Sequence, residues 1–382
     1  MLSMVPDSLN SSPANYRAEP LRIAQVIFDM QAGGAESLVR GLAHAFQRRG
    51  HSVTVILLDA CTSEIDNQAR AELRASGIHV IGLNRRRGTC GIAPGLRLLR
   101  TIARGQYDVV HSHLPMCDAF VSIAHHARRR AFRHVVTVHN THEARGLVSA
   151  HLCRNQKIVY CSQSARSARD KRLPDGPVIL NGVDLRAFCR PDTLKESKRR
   201  LGLPANAIVI VGVGSIKPQK NYELAIRSLA CLKELNSMPV YYAICGDGPG
   251  RSNLERLCSD SGLRDRVLFL GSRPDVPQLL SAADLFLSSA AYEGLPIAVL
   301  EAFATGLPCV LSPIPEHREI SIEMPGVYFP EDNRENSFAE AIQAALQSRV
   351  SHRTLADDRR EHLRGYSIDE CASTYERFYR IQ

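Results

Sequence analysis

The stretch Tyr292-Glu293-Gly294-Leu295-Pro296-Ile297-Ala298-Val299-Leu300-Glu301-Ala302-Phe303 joins a predicted strand to a predicted helix. The strand is the short apolar run Ala283-Asp284-Leu285-Phe286-Leu287-Ser288 just upstream, which reads as buried. Gly294 permits a tight turn. Pro296 fits the first position of the helix, where its missing N–H costs nothing. Strand, tight loop and helix start leave free amides and a partial positive charge, a setting suited to an anion such as phosphate. Glu293 lies in the loop, and Glu301 lies roughly 8 Å along the helix from Pro296. Either glutamate alone reads first as a solvated surface charge or a helix-start preference. Glu301, however, sits among Val299, Leu300, Ala302 and Phe303, which predicts partial burial and a need for donors. Two carboxylates beside an anion site suit a ligand with hydroxyls next to its phosphates, the pattern of a nucleotide-sugar.

Around this stretch, 382 residues suit two domains of ordinary size. No run of about 18 apolar residues could span a membrane. The first twenty residues are polar, lack the apolar core of a signal peptide, and read as a disordered tail (1–20). Eleven scattered cysteines without a C-x2-C pair argue for free thiols in a reducing cytoplasm and against a zinc site. The charge is uneven: residues 1–185 carry a net +10 and the remainder a net −1. The excess includes Arg85-Arg86-Arg87 and Arg128-Arg129-Arg130. With no nucleic-acid motif beside them, these clusters read as solvated helix ends or as contacts with an anionic membrane surface.

In chain order, an apolar run from Arg22 to Phe28 precedes Gly33-Gly34-Ala35-Glu36 and a helical pattern to about Arg49. A glycine pair between strand and helix allows close approach of a phosphate, or serves turn geometry alone. Strands recur at 52–58, 78–83, 107–112, 134–139 and 157–161, with helices near 66–76, 93–104 and 117–130. This alternation predicts βα units and a parallel sheet. His111, His113, His139 and His142 fall at or beyond strand ends, where open α/β sheets bind ligands. A polar stretch near 186–200 marks a boundary, after which a strand (207–212) enters Gly214-Ser215-Ile216-Lys217-Pro218-Gln219-Lys220-Asn221. That loop, with a glycine and two lysines before a helix at 221–236, is a second anion cradle. A strand at 240–245 leads into Gly246-Asp247-Gly248-Pro249, where Asp247 also suits the start of a helix over 249–262. Helices follow near 335–347, 352–364 and 367–381.

Glu293 and Glu301, seven residues apart and followed by Gly306-Leu307-Pro308, resemble the E-x7-E signature of retaining GT-B glycosyltransferases of family 4. Gly246-Asp247-Gly248-Pro249 and Asn181-Gly182-Val183-Asp184 resemble further motifs of that family, and the likeness spans roughly 21–382. The resemblance implies an α/β GT-B fold of two Rossmann-like domains with parallel sheets facing across a cleft. The acceptor-side domain would be 21–185, with the helix at 367–382 packing back on it. The nucleotide-sugar domain would be 186–366.

It also implies roles. Lys220 matches the lysine that holds the diphosphate, while Ser215 stands where the family has an arginine and Lys217 could substitute for it. Glu301 would bind ribose hydroxyls, and Glu293 would hold the donor sugar. His139 would contact that sugar, and His113 would face the acceptor. Gly33, Gly34, Gly246, Gly294, Leu295 and Pro296 would line the donor, and Arg273 would approach the base. No D-x-D pair is present, so no catalytic metal and no cofactor are expected. The implied reaction moves a sugar from a nucleotide-sugar, UDP being the commonest carrier, to a glycan or lipid-phosphate-linked acceptor, with retention. It would serve surface-polysaccharide synthesis at the inner face of the plasma membrane, with no nucleic-acid partner. Two alternatives are a sugar-nucleotide epimerase of the same architecture and a catalytically silent binding subunit.

Overall fold

The computed structural model describes residues 19–31, 33–86, 92–128, 130–142, 147–188, 194–203, 205–232, 238–348 and 351–381. The chain divides into two compact units. The first runs to Gly182 and takes in the residues from Ile368 onward; the second is Val183–Ser367.

The first unit holds β1 (Arg22–Ile27), β2 (Ser52–Asp59), β3 (His79–Arg85), β4 (Val109–His113), β5 (Arg133–Val138) and β6 (Lys157–Tyr160). They form one parallel sheet in the order β3-β2-β1-β4-β5-β6. The second unit repeats the plan with β7 (Ile208–Val213), β8 (Val240–Cys245), β9 (Val267–Gly271), β10 (Leu285–Ser288), β11 (Cys309–Leu311) and β12 (Val327–Tyr328). Their order is β12-β11-β10-β7-β8-β9, again all parallel. Strand order therefore reverses direction between β1 and β4, and between β7 and β10. In such sheets the carboxyl ends of the strands at this reversal are where ligands bind.

Helices link the strands: α1 (Gly34–Arg48), α2 (Glu64–Ala75), α3 (Ile92–Gly105), α4 (Pro115–Ala127), α5 (Leu147–Cys153) and α6 (Gln163–Ser167) in the first unit. The second has α7 (Leu194–Arg200), α8 (Tyr222–Ala230), α9 (Arg251–Asp260), α10 (Val276–Ser281), α11 (Ile297–Ala304), α12 (Pro315–Ile320), α13 (Glu335–Gln347) and α14 (His352–Leu363). The last helix, α15 (Ile368–Arg380), belongs to the first unit. The short α5, α6, α7, α10 and α12 lack the length for a clear helical period, which is why the sequence does not announce them.

Each central strand is buried on both faces, so its sequence is a near-continuous apolar run. On one face of the first sheet, Ile23 and Ile27 pack with Leu38, Leu42 and Phe46 of α1 and with Ile368, Tyr375 and Tyr379 of α15. On the other, Ala24 and Val26 meet Leu98 and Ile102 of α3 and Val121 of α4. Phe46 and Tyr379 lie with ring centroids 5.5 Å apart. The arginine run at 85–87 is not uniformly a surface feature. Arg85 is buried, donates to Asp59 at 2.6 Å and stacks on Phe28, because a strand residue pointing inward must find a counter-charge. Arg86 is exposed, and Arg87 and Arg129 fall outside the described residues. The nine described cysteines are free thiols, seven of them buried.

Because α15 supplies a share of the first core, a chain truncated after Ser367 is expected to uncover the apolar face of α1. Each side chain so exposed costs about 1.5–3 kcal/mol. Hydrogen exchange read by mass spectrometry should show β1 and α1 losing protection while β7 and β10 keep theirs.

Candidate functional site

In the second unit, the loops leaving β7 and β10 flank the strand-order reversal, and they are tied to each other. Lys220 Nζ donates to Glu293 Oε1 at 2.5 Å. Gln219 Nε2 donates to Glu293 Oε2 at 3.2 Å and to the Tyr292 carbonyl at 3.1 Å. The Ala291 amide donates to the Gln219 carbonyl at 2.8 Å, and Ser289 Oγ reaches the Lys220 and Asn221 carbonyls. Glu293 is 6% exposed. A carboxylate so buried needs donors on both oxygens, and the neighbouring loop provides them.

The Gly214–Asn221 loop is shaped by close backbone approach to the loop after β8. Gly214 (φ +147°) and Gly246 (φ +154°) both adopt backbone that other residues rarely take, and a Cβ on Gly246 would lie 1.9 Å from the Gly214 carbonyl oxygen. The Gly214 amide donates to the Cys245 carbonyl and the Ile216 amide to that of Asp247, each at 2.9 Å. Tyr222 Oη holds the Gly214 carbonyl at 2.9 Å. Asp247 is not the cap of α9, contrary to expectation. Gly250 takes that position, and Asp247 folds onto the Gly248 amide at 2.8 Å. Ser215 is half-buried and Lys217 is exposed beside it.

Pro296 also departs from expectation. It is the cap residue before α11, and Ile297 is the first helical residue. Proline offers no side-chain acceptor, so the cap residue makes no side-chain bond to the first amides of this helix. Glu293, Gly294, Leu295 and Pro296 are buried, and Glu301 is half-buried. Glu301 and the Arg273–Asp275 pair act on the same buried thiol, that of Cys245. Burial pushes that thiol up to about 11, Arg273 opposes the rise, and Asp275 and Glu301 add to it. Arg273 is forked onto Asp275 at 2.8 and 2.7 Å, so its guanidinium is already engaged.

Two supports carry no sign in the sequence. His317, wholly buried, donates from Nδ1 to the Ser312 carbonyl at 2.9 Å, while Ser288 Oγ lies 3.3 Å from its Nε2. Ser312 Oγ in turn holds the Ala290 carbonyl at 2.6 Å. Arg359 of α14, also wholly buried, donates to the Leu307 carbonyl at 2.7 Å and lies over the Phe303 ring, which fixes the far end of α11.

In the first unit, the strand-end histidines form a stack. His139 Nε2 lies 2.9 Å from His113 Nδ1, and His113 Nε2 lies 2.7 Å from Gln25 Oε1. His111 bonds Tyr379 Oη and Thr137 Oγ1, each at 2.7 Å. His113 is therefore not an acceptor-facing side chain: it is fully buried with both ring nitrogens engaged, and His139 lies above it, half-buried. Desolvation first, then the adjacent rings, holds His111 and His113 well below the usual imidazole range, so both are neutral. Gly33 caps α1, and Glu36, the third helical residue, folds back over it. A Cβ on Gly33 would lie 2.1 Å from the Glu36 carboxylate, while Gly33 and Gly34 are both exposed. His142 is exposed.

The two parallel sheets with their matching strand orders define an α/β protein of the GT-B type. The Anabaena Alr3699/HepE structure in complex with UDP-glucose has this fold with a TM-score of 0.80 at 20% identity, over 94% of this chain and all of that one. Two family models match in succession, Glycosyltransferase Family 4 over residues 32–212 and Glycosyl transferases group 1 over residues 194–364. The chain belongs to this family of glycosyltransferases. Among its relatives is the UDP-Gal:alpha-D-GlcNAc-diphosphoundecaprenol alpha-1,3-galactosyltransferase of Escherichia coli, 34% identical over 50% of each chain. Another is the lipopolysaccharide core biosynthesis mannosyltransferase LpsB of Rhizobium meliloti, 33% identical over 41% of this chain and 46% of that one. The chain thus spans about half the length of these curated relatives.

Burial moves His317 from the ordinary 6.5 down to about 4. As pH falls through that window, the unfolded chain takes the proton first, so stability is full above about 6.5 and drops toward 4. The full loss is about 3 kcal/mol. Urea unfolding followed from pH 7 to 4 should show a shallower slope in His317→Asn than in the parent chain.

Proposed function

We propose that this protein moves a sugar from a nucleotide-sugar, with UDP as the carrier, to a glycan or lipid-phosphate-linked acceptor in surface-polysaccharide synthesis. The observation that carries the reading is the Lys220–Glu293 pair, set at the strand-order reversal of the second sheet beside the uncapped start of α11. An ammonium has three N–H donors. Glu293 takes one, and the others are available to a diphosphate. In the transfer, the acceptor hydroxyl oxygen bonds to the anomeric carbon as the bond from that carbon to the β-phosphate oxygen breaks. The hydroxyl proton leaves with the diphosphate. Negative charge grows on the departing oxygen, and fixed donors aimed at it are the effective catalytic device.

Lys220 and the first amides of α11 serve that purpose, with Lys217 replacing the arginine that Ser215 displaces. Glu293 holds the donor sugar, Glu301 takes the ribose hydroxyls, Arg273 approaches the base, and His139 contacts the sugar. The lysine and the helix start supply the charge that a metal would otherwise bring, and the sequence has no D-x-D pair to hold one. Retention of the anomeric configuration is proposed with family membership as its support.

A membrane-facing role is proposed for α3 and α4. Ile92 and Leu96, one turn apart on α3, and Met116 and Ile123, two turns apart on α4, are all exposed. The helices pack with Gly95 against the Phe120 ring. Exposed Arg100 and Arg104 lie on α3, and Arg128 and Arg130 follow α4. Apolar side chains rimmed by arginine suit an anionic bilayer surface. Among the described residues no helix is long and apolar enough to cross a membrane.

Replacing Lys220 alone would strand a buried carboxylate, which is strongly destabilising. The cleaner variant joins Lys220→Met with Glu293→Gln. It should keep its fold by circular dichroism and lose transfer about 10²- to 10³-fold. The assay uses labelled UDP-sugars with and without a lipid-phosphate acceptor. Acceptor-free isomerisation, binding without turnover, or undiminished transfer in the double variant would each overturn the reading. Sedimentation with phosphatidylglycerol vesicles should exceed that with phosphatidylcholine, and Ile92→Asp with Ile123→Asp should abolish it. Equal recovery with both lipids would reject the surface.

A further inference from the structure

We propose that Gln25 and His113 are positioning residues that set the tautomer of His139, leaving its Nδ1 as a hydrogen-bond acceptor. The inference follows from donors and acceptors taken in order. Gln25, on β1 and fully buried, presents its amide oxygen to His113 Nε2 at 2.7 Å. An amide oxygen can only accept, so His113 Nε2 carries the proton. His113 lies wholly inside the unit, with the neutral His111 ring stacked at a centroid distance of 4.1 Å. A second proton on it would bury an uncompensated cation. Its Nδ1 is therefore a lone pair, and the only way to satisfy the 2.9 Å contact with His139 Nε2 is for His139 to donate. A neutral imidazole has one N–H, so Nδ1 of His139 accepts.

The three side chains come from three neighbouring strands or strand ends. Gln25 pairs in register with His111 across β1 and β4, and His113 pairs with Thr137 across β4 and β5, two residues before His139. The order of the sheet thus passes a choice made deep in β1 out to the end of β5. A buried hydrogen-bond chain of this kind fixes both the orientation and the protonation pattern of its outermost member.

The consequence for transfer rests on the functional reading above: His139 takes a hydrogen bond from a sugar hydroxyl rather than giving one. The tautomer itself is read without turnover. The full chain, labelled with ¹⁵N in its histidines and free of ligand, is examined by long-range ¹H–¹⁵N correlation, with His139→Ala identifying the His139 signals. The expected spectrum has the pyrrole-type resonance at Nε2 and the pyridine-type resonance at Nδ1. In Gln25→Met the amide acceptor is gone, and His139 should shift toward averaged nitrogens with kcat reduced about five-fold. His113→Asn, whose Oδ1 stands in for the ring Nδ1, should restore the Nε2–H pattern. A pyrrole-type Nδ1 in the parent chain, or an unaltered His139 spectrum in Gln25→Met, would overturn the proposal. Should Gln25→Met fail to fold, the parent spectrum and His113→Asn decide. Absence of any transferase activity alongside the expected spectrum would count against the functional reading and leave the relay standing.

Discussion

One ion pair organises the second unit. Lys220 and Glu293 come from loops more than seventy residues apart in sequence, and both are drawn out of water by the walls around them. A carboxylate in that position without its ammonium would be costly, and so would the ammonium alone. The pair therefore fixes the spacing of the two loops that leave β7 and β10. Around it, besides the bond from Gln219 to Glu293, neutral side chains hold backbone carbonyls: Gln219 that of Tyr292, Ser289 that of Asn221, Ser312 that of Ala290. His317 supports the same loop while staying uncharged, which spares Lys220 a second cation nearby.

The two units use one strand order for different electrostatic ends. At the reversal of the second sheet stands a charge pair beside an uncapped helix start. At the reversal of the first stand neutral aromatic and amide groups, Gln25, His111 and His113, hydrogen-bonded to one another and to Thr137 and Tyr379. The excess of arginine in the first unit lies away from this network, on outer helices such as α3 and beyond the end of α4.

How far this was legible in the sequence depends on the range of the interaction. The Glu293–Glu301 spacing, the glycine turns at 214 and 246 and the alternation of apolar runs are local, and they read directly. Pro296 lies one position before the expected one because the cap and the first helical residue of a proline-started helix have the same local signature. Burial is a property of the assembled sheet, and local spacing does not carry it. His113 has the look of a strand-end ligand until Gln25 and His139 enclose it. Gly33 reads as a turn glycine, and the position of the Glu36 carboxylate beside it carries no sequence signal. His317 and Arg359 carry no motif; their work is to hold carbonyls contributed by distant loops, and nothing nearby in sequence signals it.

The return of α15 to the first unit orders events during synthesis. The six strands of that unit leave the ribosome first, yet Tyr375 and Tyr379, which seal α1 and bond the His111–Thr137 network, emerge only after the whole of Val183–Ser367. At about 5–20 residues per second the wait is roughly 10–40 s. The second unit, continuous in sequence, faces no such delay. The half that begins to emerge first is the last to close, and for that interval a nascent apolar groove stands open to chaperones or to its own neighbours on the polysome.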